Sequence, residues 1–366
     1  MSENQRDTRS KHINKYDRIS PQDHAAILFD TMIAMEIEPD AYTFTSLIGL
    51  QQNTEAVTKL SKQAELFLEM TTPTYHSIIT AYGRVNDPSS ACYIFHRMIG
   101  TKHLKPNSWN VLLSALSKVS KRNLSTKISC FDSYVSSQDE NAFQKSEEFL
   151  AEKDLFIQTV DGKNSIQAAL GIFNLMKDAL IHSSIISPPN SQSFCLIASI
   201  LSHEGKSQGE AAIDLFKTAI EVGVPADGRF MNSVIRCFGN DIDGAIQAWK
   251  TMFRSAVLTY ENRDRPSHFN HKRGKNLIAA YHGLVHVSGR AARPDLALRL
   301  AYAMKKEGIE PTELTLNSYK TGATKCNIEK SIRLNKQYEN LLTVECLKYD
   351  KLDKRRSLEK RVRIII

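Results

Sequence analysis

Two hydrophobic signatures recur along the chain. In the first, an aromatic or other hydrophobic residue is followed by a small or polar residue and, after a spacer, by two apolar residues. Its copies are FTSLI (44–48), YHSII (75–79), WNVLL (109–113), FCLIA (194–198), MNSVI (231–235), YHGLV (281–285) and, more weakly, LNSY (316–319). Each copy predicts the first helix of a two-helix unit.

The second signature lies downstream of the first and predicts a second helix. An alanine, an aromatic residue four positions later and a methionine three positions after that share one helical face, because residues at i, i+4 and i+7 line up on a helix. The small alanine lets a neighbouring helix approach closely. The clearest copies are Ala25, Phe29 and Met32; Ala91, Phe95 and Met98; Ala169, Phe173 and Met176; and Ala245, Trp249 and Met252.

Proline turns separate the two-helix units. Second helices tend to end before a proline that is followed by a polar residue, as in EIEPD (36–40), LKPNS (104–108), SPPNS (187–191) and IEPTE (309–313). Proline cannot continue the helical hydrogen-bond ladder, so it ends each unit. Neither helix of a unit can bury its apolar face alone. The units are therefore expected to stack into an all-α solenoid.

Most first-signature hydrophobes recur at a period of about 35 residues. Two longer intervals indicate insertions at about 123–165 and 253–274. The repeat array is expected over residues 21–322. It follows an N-terminal extension (1–20) that is expected to be disordered, and it precedes a charged C-terminal helix (323–366).

Composition agrees with a folded helical protein. The 366 residues are 42% hydrophobic and 24% charged, and only 16 glycines and 11 prolines are present, which argues against turn-rich β folds. No apolar run approaches the length of a membrane span. The net charge of +8 raises the prospect of a polyanionic partner. A basic patch at 263–275 supplies candidate phosphate contacts: Arg263, Arg265, Lys272, Arg273 and Lys275.

The repeat resembles that of the pentatricopeptide repeat family. The best copy, residues 278–312, carries Tyr281, Gly289, Ala297, Met304, Gly308 and Pro311 at the family's spacings. The tetratricopeptide family has a similar period, but its W-x-x-L-G-x-x-Y order is absent. The resemblance implies a right-handed superhelix of helix-turn-helix repeats.

The resemblance also implies binding of single-stranded RNA, with one base read per repeat by two or three side chains. Carried onto this chain, the residue after each first-helix hydrophobe is the reader: Thr45, His76, Asn110, Cys195, Asn232, His282 and Asn317. The last residue of a repeat assists: Asp40, Asn107, Asn190, Asp227 and Thr312. Tyr42 is a candidate for stacking on a base. The alternative for all these positions is that they are simply polar residues at exposed helix N-termini.

Family resemblance further implies a role in the processing, stability or translation of organellar transcripts, in a mitochondrion or plastid. The N-terminal sequence contains no convincing transit peptide or secretory signal. A second hypothesis is a non-catalytic scaffold for protein interactions, such as a ribosome-associated or assembly factor.

Catalysis, cofactors and metal sites are not expected. The chain has no HxE with PCxxC deaminase signature, no phosphate-binding loop and no nucleophile elbow. His268 with His271 and His282 with His286 have ligand-like spacings, but no third ligand lies near them in sequence. The six cysteines are scattered, which favours reduced thiols over a disulfide framework.

Overall fold

The structure is a computed structural model of the chain. It describes residues 20–122, 126–129, 147–180, 186–203, 208–224, 227–261 and 281–306, together with residues 313, 317, 318, 320 and 324. These residues fall into two compact units, which divide the chain at Ser165 and Ile166. Within the described residues the secondary structure is helical apart from one isolated antiparallel bridge, between Lys127 and Asn164. The prediction of an all-α fold is confirmed.

The first unit is a row of antiparallel helices. They are α1 (Pro21–Ala34), α2 (Ala41–Leu50), α3 (Thr54–Phe67), α4 (Thr72–Arg84), α5 (Pro88–Met98), α6 (Pro106–Arg122) and α7 (Glu147–Val160). Helix α4 packs between α2 and α6, and each second helix packs on the first helix before it: α3 on α2, and α5 on α4. This is the order in which the two predicted helix types alternate along the sequence.

The second unit repeats the arrangement. Its helices are α8 (Ser165–Asp178), α9 (Ser191–Leu201), α10 (Gly209–Glu221), α11 (Gly228–Arg236), α12 (Ile242–Glu261), α13 (described over 281–290) and α14 (Pro294–Lys306). Helix α11 contacts α9, α10 and α12. Among the helices of the described ranges, none is long and apolar enough to cross a membrane.

The two sequence signatures meet in the core. The aromatic residue of a second helix packs against the first-helix hydrophobe of the next repeat, and this happens at every clear copy. The ring centroids lie 5.6 Å apart for Phe29 and Phe44, 4.8 Å for Phe95 and Trp109, 5.0 Å for Phe173 and Phe194, and 5.9 Å for Trp249 and Tyr281. Aromatic pairs at such distances add to the free energy of burial. Each repeat is therefore stabilised by the one that follows it.

A close approach between first helices depends on glycine. Gly83, near the end of α4, lies against Ala115 of α6, and a Cβ built on Gly83 would be 2.7 Å from both the Cα and the Cβ of Ala115. Arg84, the next residue, donates hydrogen bonds to the backbone carbonyls of Ile48 and Gly49 at the end of α2. Carbonyls in the last turn of a helix lack the usual N–H partner four residues on, and that of Ile48 also accepts from the N–H of the C-cap residue Gln51. Helix α4 is therefore held closely to both of its neighbours.

The predicted insertions are partly visible. Helix α6 ends at Arg122 and α8 begins at Ser165, on either side of the first predicted insertion. Within it the structure describes α7, which packs on α5. Phe156 of α7 is buried beside Phe95 and Trp109. The second insertion begins as a continuation of α12 to Glu261.

Some expectations fall outside the described residues. Residues 1–19 of the N-terminal extension and all but Thr324 of the C-terminal segment 323–366 belong to this group. So does the basic patch, with Arg263, Arg265, Lys272, Arg273 and Lys275. The predictions made for these segments stay predictions.

Candidate nucleic-acid interface

The first helices, which carry the predicted base-reading residues, lie side by side within each unit. In the first unit α4 packs between α2 and α6, and in the second α9 packs against α11. Helices α11 and α13 also touch, since a Cβ on Gly283 would lie 3.2 Å from the side chain of Ile235. Successive reading positions are thus neighbours inside each unit.

His76 faces the next repeat. Its Nε2 lies 2.8 Å from the Oγ of Ser108 on α6, and Ser108 directly follows Asn107, the assisting residue predicted for the same repeat. Burial lowers the pKa of His76 below its ordinary value. The ring is therefore neutral at pH 7 and carries one donor and one acceptor nitrogen.

Thr45 is half-buried on α2. Its hydroxyl donates to the carbonyl of Tyr42 at 3.0 Å, and its own carbonyl accepts from the Oγ of Ser77 on α4 at 3.3 Å. The side chain of Tyr42 is 82% exposed. The ring of Tyr42, one helical turn before Thr45, is therefore open to a stacking partner.

Asn110 differs from the other reading positions. This residue of α6 is only 1% exposed. A base could reach this amide only if the surrounding side chains moved. The expectation of an exposed reading edge is not met at Asn110 in this structure.

Cys195 is a half-buried thiol whose pKa responds to the charge of its predicted assistant. Burial, followed by the carboxylate of Asp227, raises the pKa of the Cys195 thiol to about 12. The thiol is therefore protonated at pH 7 and acts as a weak donor. Asp227, the last residue of the repeat that contains Cys195, is the N-cap of α11.

The remaining readers lie on α11 and beyond. The Oδ1 of Asn232 is buried with no hydrogen-bond partner in the described part of the chain, and a Cβ on Gly283 would lie 3.0 Å from it. His282 is half-buried, and burial lowers its pKa. Asn317 is exposed.

Three of the assisting residues are helix N-caps. The Oδ1 of Asp40 accepts from the N–H of Thr43 at 2.8 Å, and hydrogen bonds from Thr43 lower the pKa of the Asp40 carboxyl. Asn190 caps α9 through a capping box, and Asp227 accepts from the N–H of Phe230 at 2.9 Å. Capping by itself explains why aspartate and asparagine occur here. Asn107 is instead exposed at the second position of α6, and Thr312 lies outside the described residues.

Sequence reasoning missed two residues, Arg229 and the buried Ser108, that interact with the predicted readers. Ser108 binds His76 and also accepts from the N–H of Lys105 at 3.1 Å. Its position one residue before Trp109 was the signal available in the sequence. Arg229, on the first turn of α11, is close enough to Cys195 for its charge to oppose the rise in the pKa of that thiol.

Two arginines and a histidine lie near one another on α11 and α13. His286 lies near Arg236 and Arg290, and burial together with these two charges lowers the pKa of His286 to about 4. The pKa of Arg236 is also lowered, by burial and then by Arg290. His286 is therefore neutral at pH 7.

The titration of His286 predicts a loss of stability in acid. An unfolded chain takes up this proton near pH 6.5, whereas the folded chain resists it until about pH 4. The contribution of His286 to stability is therefore complete above pH 6.5 and falls as the pH drops towards 4. Thermal unfolding between pH 7.5 and 4.5 should show a decrease in Tm that is smaller in His286→Gln than in the unmodified chain. Parallel curves for the two proteins would contradict the assignment.

The described residues hold neither a cluster suited to metal ligation nor a disulfide bond. They contain no group of three or more His, Cys, Asp or Glu side chains arranged to hold a metal ion. Cys92, Cys195 and Cys237 form no disulfide. Of the histidines with ligand-like spacing, His282 and His286 lie on α13, and His268 and His271 lie outside the described residues.

Comparison with known proteins supports the repeat assignment. A family model described as PPR repeat matches residues 73–101, which cover nearly all of α4 and α5. The resemblance predicted from the sequence is confirmed by this match. No curated protein matches the chain significantly.

Solved structures that match include two of the pentatricopeptide repeat protein PPR10 in complex with an 18-nucleotide psaJ RNA element, one of them a triple cysteine-to-serine variant. Each has 14% sequence identity and a TM-score of 0.34, and each match covers 88% of this chain and 48% of that chain. The chain thus spans about half the length of these proteins.

Proposed function

Because the chain contains a pentatricopeptide repeat at residues 73–101, we propose that it binds single-stranded RNA along its first helices, with one base per repeat. In this proposal the polar residues at the start of each first helix contact base edges. The protein acts by binding, without catalysis. The resemblance to the family supports a role in the processing, stability or translation of organellar transcripts.

The observation that carries the proposal is the contact between His76 and the first helix of the next repeat. His76 is bonded to Ser108, the neighbour of Asn107, and the carboxylate of Asp227 is one cause of the raised pKa of Cys195. The two pairs occur in different units and use different residue types. In each, a first-helix side chain interacts with a residue near the boundary with the next repeat, which is where the proposal places base reading by two or three side chains.

The chemistry of these pairs suits neutral base edges. With Nε2 of His76 bonded to Ser108, Nδ1 is the ring nitrogen that would meet a base. Cys195 is a protonated thiol beside a carboxylate that can accept from an amino group of a base. Tyr42 would add stacking, worth about 1–3 kcal/mol per base. The basic residues of the 263–275 patch are proposed to contact phosphate.

The test is selection of ligands from a randomised RNA pool with the full chain. We expect enrichment of a short single-stranded sequence. If several phosphates are neutralised, the affinity for it should fall by roughly tenfold or more between 50 and 200 mM salt. In binding assays with the selected RNA, His76→Ala and Thr45→Ala should each relax preference at one base, and the two bases should be adjacent.

A matched control separates reading from general damage to the helix. Ser46 is exposed and directly follows Thr45 on α2, so Ser46→Ala should keep the base preference of the unmodified chain. Failure to enrich any RNA would overturn the proposal and favour the scaffold hypothesis. Enrichment with unchanged preference in both reader variants would overturn the assignment of the readers alone.

A further inference from the structure

Helix α1 carries apolar side chains on two faces. One face, with Phe29, packs on α2, where Phe29 meets Phe44. The opposite face presents Ile27, Leu28 and Met35 to solvent, with 53%, 70% and 66% of each residue exposed. These three residues and Thr31 define what we call the outer face of α1.

The residues of the outer face have the spacing of a helix surface that packs against a second helix. A spacing of four residues separates Ile27 from Thr31 and Thr31 from Met35, which places them on one side of the helix. Leu28, three residues before Thr31, lies on the same side. A helix that is apolar on opposite sides is normally covered on both. No described residue covers this side.

Another second helix shows the contrast. On α10 the exposed positions are Glu210, Asp214, Lys217 and Glu221 together with the small Ala211, and Lys217 pairs with Asp214 at 3.0 Å. Its outer side is thus polar, as expected for a helix that meets only water. The outer face of α1 lacks such charges at its centre.

Charge around the outer face is of one sign. Residues 20–39 contain Asp23, Asp30, Glu36 and Glu38 and no lysine or arginine, although the whole chain has a net charge of +8. Asp23 and Asp30 lie one helical turn from Ile27, before and after it. An acidic border repels phosphate, so RNA is a poor occupant for this surface.

We propose that the outer face of α1 docks a basic amphipathic helix of a partner protein. The apolar side of the partner would cover Ile27, Leu28 and Met35, and its lysines or arginines would face Asp23 and Asp30. This is the helix-on-helix mode of recognition, with charge complementarity at the rim setting specificity. The site is separate from the proposed reading positions and does not depend on RNA binding.

The test uses two labelled amphipathic peptides and the full chain. One peptide is built of leucine and lysine, and the other has glutamate in place of every lysine. Fluorescence anisotropy should show binding of the leucine–lysine peptide and none of the leucine–glutamate peptide. The double variant Leu28→Ser with Met35→Ser should weaken binding about tenfold, since two exposed apolar contacts are lost. Asp30→Asn should weaken it less and reduce its dependence on salt.

Controls distinguish this face from any exposed apolar group. Tyr302 of α14 is 57% exposed, and Tyr302→Ser should bind the peptide as the unmodified chain does. Because Leu28 and Met35 are exposed, circular dichroism of the double variant should be unchanged. Equal binding of both peptides, or undiminished binding by the double variant, would overturn the proposal. So would sedimentation showing a dimer that the double variant dissociates, because a second copy would then occupy the face.

Discussion

Replacing Phe156 with alanine is expected to lower the free energy of unfolding by about 3–5 kcal/mol, the usual cost of removing a buried phenylalanine. Phe156 is 1% exposed, and its ring centroid lies 5.4 Å from Phe95 and 6.4 Å from Trp109. Its loss would leave a cavity beside the contact that joins two repeats. Urea unfolding followed by circular dichroism measures the change.

The neighbouring residue supplies the control for Phe156. Leu155 is 42% exposed on the same helix, so Leu155→Ala should cost less than about 1 kcal/mol. Similar losses in the two variants would show that α7 is sensitive to any truncation and that the contact with Phe95 and Trp109 is not the reason. The contrast therefore tests whether the first insertion is part of the core.

The second large effect is expected at Gly83. A methyl group there would lie 2.7 Å from the Cα and Cβ of Ala115, so Gly83→Ala must push α4 away from α6. We expect a loss of about 1–3 kcal/mol in the free energy of unfolding. This loss should appear although alanine favours helix formation over glycine by about 1 kcal/mol. Denaturant unfolding measures the net change.

Gly49 gives a control of opposite sign. It lies in α2 with no atom within 4 Å of a Cβ placed on it. Gly49→Ala should therefore raise the free energy of unfolding by about 0.5–1 kcal/mol through helix propensity alone. Adding Ala115→Gly to Gly83→Ala should recover part of the loss, because it removes one of the two atoms in conflict. If Gly83→Ala stabilised the chain as Gly49→Ala does, the close approach of α4 and α6 would be refuted.

The repeat pattern predicted much of the fold because it reports burial directly. Phe95, for example, was placed on an apolar stripe by its spacing from Ala91 and Met98, and all three side chains are buried. Proline positions located the turns through a second local rule, because proline excludes the backbone hydrogen bond that would continue a helix. Such local rules need no knowledge of neighbouring units.

Other features depend on contacts between distant residues, which a repeat pattern does not contain. Helix α7 interrupts the period, so the burial of Phe156 against Phe95 could be learned only from coordinates. The reading position at Asn110 fits the pattern as well as His76 does, yet packing buries Asn110 and leaves His76 beside Ser108. The repeat marks where a reader should be, and the local packing decides whether its polar edge is accessible.

The contact between Trp249 and Tyr281 spans the second insertion, whereas the contact between Phe95 and Trp109 spans a short proline turn. Their ring separations nevertheless differ by little more than 1 Å. The packing of side chains, and not the length of the connecting segment, thus sets the distance from one hairpin to the next. New sequence can accumulate in such a connection during evolution while the spacing of neighbouring hairpins stays constant.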